Sequence, residues 1–228
     1  MCEPLFIYGA AYPDVVKLVA AINAVKPTWE IQGFIDDTPE KQEQSFVGFP
    51  IVGGAECLET LDISNTWFFC NVFASTADRR HVVEKLSAAG CRFATLVHPS
   101  VDVALTEIGK DTMISEGVVL SANVKIGDHC AVRGTSIVNH HNVIEDFVFV
   151  GPGVTLSGYV TIRSGAFIGS GVTIKDRLEV GPDSILGAGC VAIQDVPAGE
   201  CVVGVPAVRI SHDRASSATE LQHENATR

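Results

Sequence analysis

The chain has 228 residues, of which 46% are hydrophobic and only 19% charged, with 27 acidic against 16 basic side chains and a formal charge of −11. Such a composition fills a core and excludes a disordered chain, while the negative balance repels nucleic-acid phosphates and anionic lipid surfaces, so neither nucleic acid nor a membrane is expected as a partner. Met1–Leu5 shows no basic segment leading into a long apolar one, no apolar run approaches the ~20 residues of a membrane span, and seven scattered cysteines without a CxxC pair fit a reducing cytoplasm, where the protein is expected to reside.

Residues 1–97 alternate apolar strands with helical patterns. Leu5–Tyr8 predicts a buried strand, followed by the turn Gly9-Ala10-Ala11-Tyr12. Pro13 suits the first turn of a helix whose apolar face is Val15, Val16, Leu18, Val19 and Ile22. Trp29–Ile35 is a second strand ending in Asp36-Asp37, and Trp67–Val72 a third. Ser75-Thr76-Ala77-Asp78 resembles a helix cap, for a helix running through Ala89, and Cys91–Val97 is a fourth strand. This βαβ order predicts an α/β, Rossmann-like domain with a parallel sheet. Ligands of such sheets sit at the carboxyl ends of the strands, beside a helix N-terminus that favours anions. Gly9, Ala10, Ala11, Asp36 and Asp37 fall at those ends and are the candidate substrate-binding residues; the alternative is a turn that only joins strand to helix.

From residue 98 the texture changes. Every sixth residue from Ile108 to Leu186 is aliphatic, fourteen in succession without an insertion. A period of six is neither helical nor that of a hairpin. It predicts an all-β coil of short parallel strands over 98–210, each burying one aliphatic side chain worth roughly 1.5–3 kcal/mol before ordering costs. The polar stretch 211–228 reads as a tail with no place in the coil.

The hexads resemble those of the hexapeptide-repeat acyltransferases. That resemblance implies a left-handed parallel β-helix with three hexads per coil, hence four to five coils here. It extends to the closing segment Asp195-Val196-Pro197-Ala198-Gly199 and Val203-Gly204-Val205-Pro206-Ala207. With Gly33–Asp37 ("GFIDD") and Val97-His98-Pro99-Ser100, the whole plan resembles the sugar O- and N-acyltransferases of the sialic-acid and bacillosamine type. In those enzymes the first domain holds the nucleotide of a UDP-sugar. Their first turn is richer in glycine than Gly9-Ala10-Ala11-Tyr12-Pro13, and fewer glycines allow a less close approach to a pyrophosphate.

Val138-Asn139-His140-His141-Asn142-Val143-Ile144 occupies the place of the family's "V-[DE]-H-[DE]-C-V-I". The resemblance therefore implies His140 as general base toward an acceptor amine or hydroxyl, a task suited to imidazole with its ordinary pKa near ~6.5. His141 stands where the family has a carboxylate, leaving Asn139, Glu145 or a backbone carbonyl to fix the tautomer of His140; an exposed turn pair is the alternative reading. The 18-residue coil period places Ala122 and Gly158 beside His140, and by motif Gly158 donates its N–H to the thioester oxygen. Ser170 and Ala188 match positions that contact CoA. His129, His140 and His141 are spaced by 11 and 1, which fits no zinc pattern of such coils, and no metal is expected.

The expected protein is thus an acyl-CoA-dependent acyltransferase, acetyl-CoA being the expected donor, acting on a UDP-linked amino sugar by direct transfer and working as a homotrimer. The rivals are the same chemistry on another small acceptor and a coil without turnover that serves as a binding or assembly module.

Overall fold

The computed structural model describes residues 2–210. The polar tail 211–228 lies outside the described residues. The chain divides into two compact units between Pro99 and Ser100.

In the first unit β1 (Glu3–Tyr8), α1 (Asp14–Val25), β2 (Trp29–Ile35), a small hairpin of β3 (Ser45–Phe46) and β4 (Phe49–Pro50), β5 (Trp67–Cys70), α2 (Thr76–Ala88) and β6 (Arg92–Phe93) follow in order. The sheet is parallel throughout, in the order β2-β1-β5-β6. Leu5 through Tyr8 are all buried, as a strand covered on both faces must be, and this is why the run reads as continuously apolar. Helix α1 supplies one cover through Val15, Leu18 and Val19, spaced three and four apart on a single face. Helix α2 opens on Ser75, whose hydroxyl accepts the Asp78 N–H at 3.2 Å.

Three details differ from the sequence reading. Pro13 caps α1 from outside, and the helix begins at Asp14. Strand β5 ends at Cys70, with one further ladder bond from the Asn71 N–H to Tyr8 O at 2.7 Å, and the buried Arg79 guanidinium donates to the carbonyls of Cys70 and Val72. The fourth strand is two residues long, extended only by the Ala94 N–H to Phe68 O at 2.9 Å, and Leu96–Val97 forms a separate short strand.

The second unit is a parallel β-solenoid of about six turns, consistent with a left-handed β-helix. Its strands are two or three residues long and stack in register at a spacing of 18, as in Val119↔Ile137↔Thr155↔Thr173↔Val191, shortened to 16 at the closing turn where Ile185 pairs with Cys201. Twelve of the fourteen periodic aliphatics, Ile114 and Ile126 to Leu186, are buried; Ile108 and Leu120 lie half-covered in the opening turn. The coil runs further than the four to five turns expected, because Val191–Ala192 and Cys201–Val203 add strands that the aliphatic period does not mark. Polar side chains in the inner row are tied to the backbone. Thr112 donates to Gly127 O at 2.9 Å and accepts the Cys130 N–H, and Ser136 does the same between Gly151 O and the Val154 N–H. Corners are turned by residues of positive φ three places after the aliphatic, among them Asn123, His141 and Tyr159, each near 60°.

Candidate active site

His140 stands at a corner of the coil, two residues beyond the strand Ile137–Val138. The register sets it between Ala122 and Gly158: the His141 N–H donates to Ala122 O and the Tyr159 N–H to His140 O, at 3.2 and 3.1 Å. The imidazole lies directly over Gly158, where an added Cβ would come within 2.7 Å of its Cε1 and 3.0 Å of its Nε2. The Gly158 N–H has no hydrogen-bond partner among the described residues. One face of the corner therefore offers an exposed imidazole and an unspent backbone donor side by side. That pairing suits taking a proton from a nucleophile while stabilising the oxyanion that its attack creates.

The groups considered for orienting His140 are engaged elsewhere. Glu145 accepts from Arg163 at 2.7 Å and from the Ser164 N–H at 3.0 Å, and Asn139 donates to Leu156 O at 2.8 Å. Instead His140 Nδ1 lies 3.1 Å from Nδ1 of His141, whose Nε2 lies 3.3 Å from the side-chain amide of Asn123. His141 stacks on Tyr159 with ring centroids 4.7 Å apart at 16°, and the Arg177 guanidinium covers Tyr159 at 4.6 Å. Asn123, His141, Tyr159 and Arg177 succeed one another at intervals of 18. Adding the coil period to His141 would have found them in the sequence. Behind them Asn142 is fully buried, its Oδ1 taking the Val160 N–H at 2.6 Å.

Ser170 and Ala188 are exposed at a different corner, after the strands Phe167–Ile168 and Ile185–Leu186, one above the other, with the Gly189 N–H donating to Ser170 O at 2.8 Å. They belong to a different sheet of the coil from the strand that leads to His140. His129 is buried against Asp111 Oδ2 at 3.0 Å and stacks on Phe147. Among the described residues no group of three His, Cys, Asp or Glu side chains is placed to hold a metal ion. Among them also, no helix is long and apolar enough to cross a membrane.

In the first unit Gly9, Ala10, Asp36 and Asn71 gather at the carboxyl ends of β1, β2 and β5. Gly9 has φ +105°, and an added Cβ would meet Val72 Cγ2 at 3.0 Å and Asn71 O at 3.1 Å. The glycine is thus required by the chain's own packing. The Ala10 N–H donates to Asp36 Oδ2 at 2.9 Å, and Lys41 reaches both that oxygen and Ala10 O, at 3.0 and 3.2 Å. Asp36 Oδ1 takes the Thr38 N–H at 3.0 Å. Burial opposes the charge of Asp36, but the hydrogen bonds from Thr38, Ala10 and Lys41 outweigh it and hold the carboxyl below its usual range. Asp37, also held low against partial burial, pairs with Lys85 at 2.9 Å and accepts the Ala55 N–H at 2.8 Å. Burial and the adjoining Asp37 push the Tyr8 phenol upward. Asn71 donates to Gly9 O and Tyr12 O, both at 3.0 Å, while its fully buried Oδ1 has no partner among the described residues. Ala11 is exposed beside this cluster. The sequence marked Asn71 only as the start of Asn71-Val72-Phe73, where the resembled enzymes have a Gly-Asn-type turn, and did not mark Lys41, which belongs to no recognisable pattern.

No family model matches the sequence. Among solved structures the chain is similar to the acetyltransferase domain of PglB from Neisseria gonorrhoeae, at 28% identity and a TM-score of 0.81 over 91% of this chain and 100% of that one. It is similar to WeeI from Acinetobacter baumannii AYE at 25% identity and a TM-score of 0.79, over 90% and 99% of the two chains. PerB from Caulobacter crescentus, solved with CoA and GDP-perosamine, matches at 24% identity with a TM-score of 0.82 over 91% and 97%, a likeness of fold alone. The chain thus shares its fold with an acetyltransferase domain and with a protein solved with CoA and a nucleotide-linked sugar.

Proposed function

We propose that the chain is an acyl-CoA-dependent sugar acyltransferase that moves an acetyl group from acetyl-CoA to an amino or hydroxyl group of a nucleotide-linked sugar. The observation that carries this reading is the placement of the exposed His140 imidazole over Gly158, whose N–H is unspent among the described residues. The likeness to an acetyltransferase domain at 28% identity, itself also solved with acetyl coenzyme A, supports the class of reaction. His140 takes a proton from the acceptor as the new N–C or O–C bond forms. The Gly158 N–H steadies the tetrahedral oxyanion, whose collapse expels the CoA thiolate, and the proton passes to that sulfur. No acyl-enzyme is required. Ser170 and Ala188, exposed and small, are assigned to the CoA arm. Since they occupy a different corner of the coil from His140, the groove is assigned to the junction between neighbouring copies in a homotrimer.

The first unit is assigned to the nucleotide, read by the turn Gly9–Ala11 and by Asp36 and Asp37, in a Rossmann-like domain. The base need not be uracil, since PerB carries GDP-perosamine. The Ala10 N–H and Asp36 already satisfy one another, an observation that favours the second reading, in which the acceptor is a small molecule without a pyrophosphate. The test is release of CoA from acetyl-CoA in the presence of UDP- and GDP-linked amino sugars and of the free sugars, with His140→Ala in parallel. Turnover that His140→Ala lowers by ~10²–10⁴-fold is expected. Equal turnover in the variant would discard the base, and turnover confined to free sugars would discard the nucleotide.

A further inference from the structure

We propose that Asn123 and His141 together set the tautomer of His140, and thereby decide whether its Nε2 accepts a proton. The inference rests on the reading of His140 as base and concerns two residues that act through it. A neutral imidazole has one donor and one acceptor nitrogen, so the Nδ1 atoms of His140 and His141, 3.1 Å apart, share a single proton. His141 Nε2 is in turn held by the Asn123 amide, whose Nδ2 lies 3.3 Å away and whose half-turn would bring Oδ1 to the same place. The three side chains therefore have two coherent settings.

If Asn123 donates its N–H to His141 Nε2, then His141 Nδ1–H donates to His140 Nδ1. His140 then carries its proton on Nε2, and that nitrogen has no lone pair to offer. If the amide presents Oδ1, every hydrogen bond in the row reverses. His141 Nε2–H donates to Asn123, His140 Nδ1–H donates to His141 Nδ1, and His140 Nε2 is bare. This second setting also serves the imidazolium, which donates from Nδ1 in the same direction. A proton arriving at Nε2 thus requires no neighbour to turn, the condition for low reorganisation during reaction.

The rings are held for this purpose. His141 is clamped flat on Tyr159, which also meets His140 edge-on at 83°, and Arg177 covers Tyr159. His141 sits at the corner with φ +60°, its ring beside the Asn123 amide. Asn123 and His141 are thus positioning residues that take the place of a single carboxylate.

The experiment is long-range 1H–15N spectroscopy of the full chain carrying 15N-histidine, with signals assigned through His140→Ala and His141→Phe. Wild-type His140 is expected to be protonated on Nδ1 and bare on Nε2, with the Asn123 amide turned by half a turn so that Oδ1, in place of the Nδ2 that faces His141 Nε2 in the structure, accepts from it. His141→Phe keeps a ring on Tyr159 but removes the acceptor, and is expected to move His140 toward the Nε2–H form. The same variant should lower kcat for CoA release, on the amino sugar that wild type turns over fastest, by about tenfold or more, within the ~10²–10⁴-fold that a positioned base contributes. Its KM for acetyl-CoA should stay within about twofold, because only the interaction made in the transition state is lost. Asn123→Asp, an obligate acceptor toward His141, is expected to keep the Nδ1–H form, whereas Asn123→Leu should resemble His141→Phe. An Nε2–H signal in wild type, or an unchanged His140 signal in His141→Phe, overturns the proposal. Turnover that survives His140→Ala, with the tautomer shift intact, overturns the base reading alone.

Discussion

At the scale of the residue, two glycines set limits of different kinds. Gly158 carries no positive φ; what it lacks is space, since a Cβ there would sit 2.7 Å from His140 Cε1. Gly158→Ala should therefore fold normally but push the imidazole aside. Because a displacement of ~1 Å can cost ~10²-fold in rate, a fall of that order in kcat is expected with the melting temperature nearly unchanged. Loss of stability in parallel with rate would show that the ring's place over Gly158 is a packing matter only. Gly9 is limited by both conformation and space, with φ +105° and a closed approach of Asn71 and Val72. Gly9→Ala should destabilise by ~1–3 kcal/mol, read as a lower urea midpoint at unchanged slope.

At the scale of the element, the turn after β1 and the turn after β2 are bound to each other through Asp36. A carboxyl held below its ordinary value of ~3.9 favours the folded state when ionised. That contribution is present above the unfolded pKa and is lost as pH falls through the lower folded one. Asp36→Asn should therefore be less stable than wild type at neutral pH, and the gap should close as denaturation is followed below pH ~4. A gap of constant size down to the lowest pH would mean that the Asp36 charge contributes nothing.

Strand β1 was legible because burial on two faces leaves a continuous apolar run, β2 because Trp29 and Ile31 alternate with exposed Glu30 and Gln32 before the buried Gly33–Ile35, and α1 because its covered face recurs every three to four residues. Asp36 was legible as an acid at a strand end, but its partner Lys41 was not, since nothing local marks a lysine in a short 3-10 turn. The hairpin Ser45–Phe46/Phe49–Pro50 was missed as well, its strands being too short to alternate. In the coil the inward aliphatics were legible at a period of six. The row Asn123–His141–Tyr159–Arg177 appears only at a period of eighteen, where nothing hydrophobic repeats and each residue differs from the last. The contact of His140 with His141 is local in sequence, but Asn123, the group next to His141, lies one coil away in a column that holds no common residue type.

At the scale of the whole molecule, the coil's outer faces bear on how copies associate. Val119 and Ile137 pair directly across adjacent coils and remain 52% and 39% exposed, an apolar pair on a flat sheet. Above them on the same face stand Thr155, Thr173 and Val191, with no charged side chain among the five. The neighbouring sheet differs, for it carries Glu107, Lys125 and Glu179 in its outward row and an ion pair between the first two at 2.9 Å. Uncharged flat surface of this kind is what a subunit contact covers, and Ile137 lies three residues ahead of His140. If the copies form the proposed trimer through this face, Ile137→Glu should lower the mass measured by light scattering from three chains to one, while circular dichroism shows the coil intact, because the side chain contributes nothing to the inner stack. If the groove for acetyl-CoA lies between copies, the same variant should lose turnover although His140, His141 and Asn123 are untouched, and its KM for acetyl-CoA should rise before kcat falls. A single-chain mass in wild type would remove the trimer. A trimer that persists in Ile137→Glu would assign the contact to another face, and monomers with full turnover would return the whole reaction to a single coil.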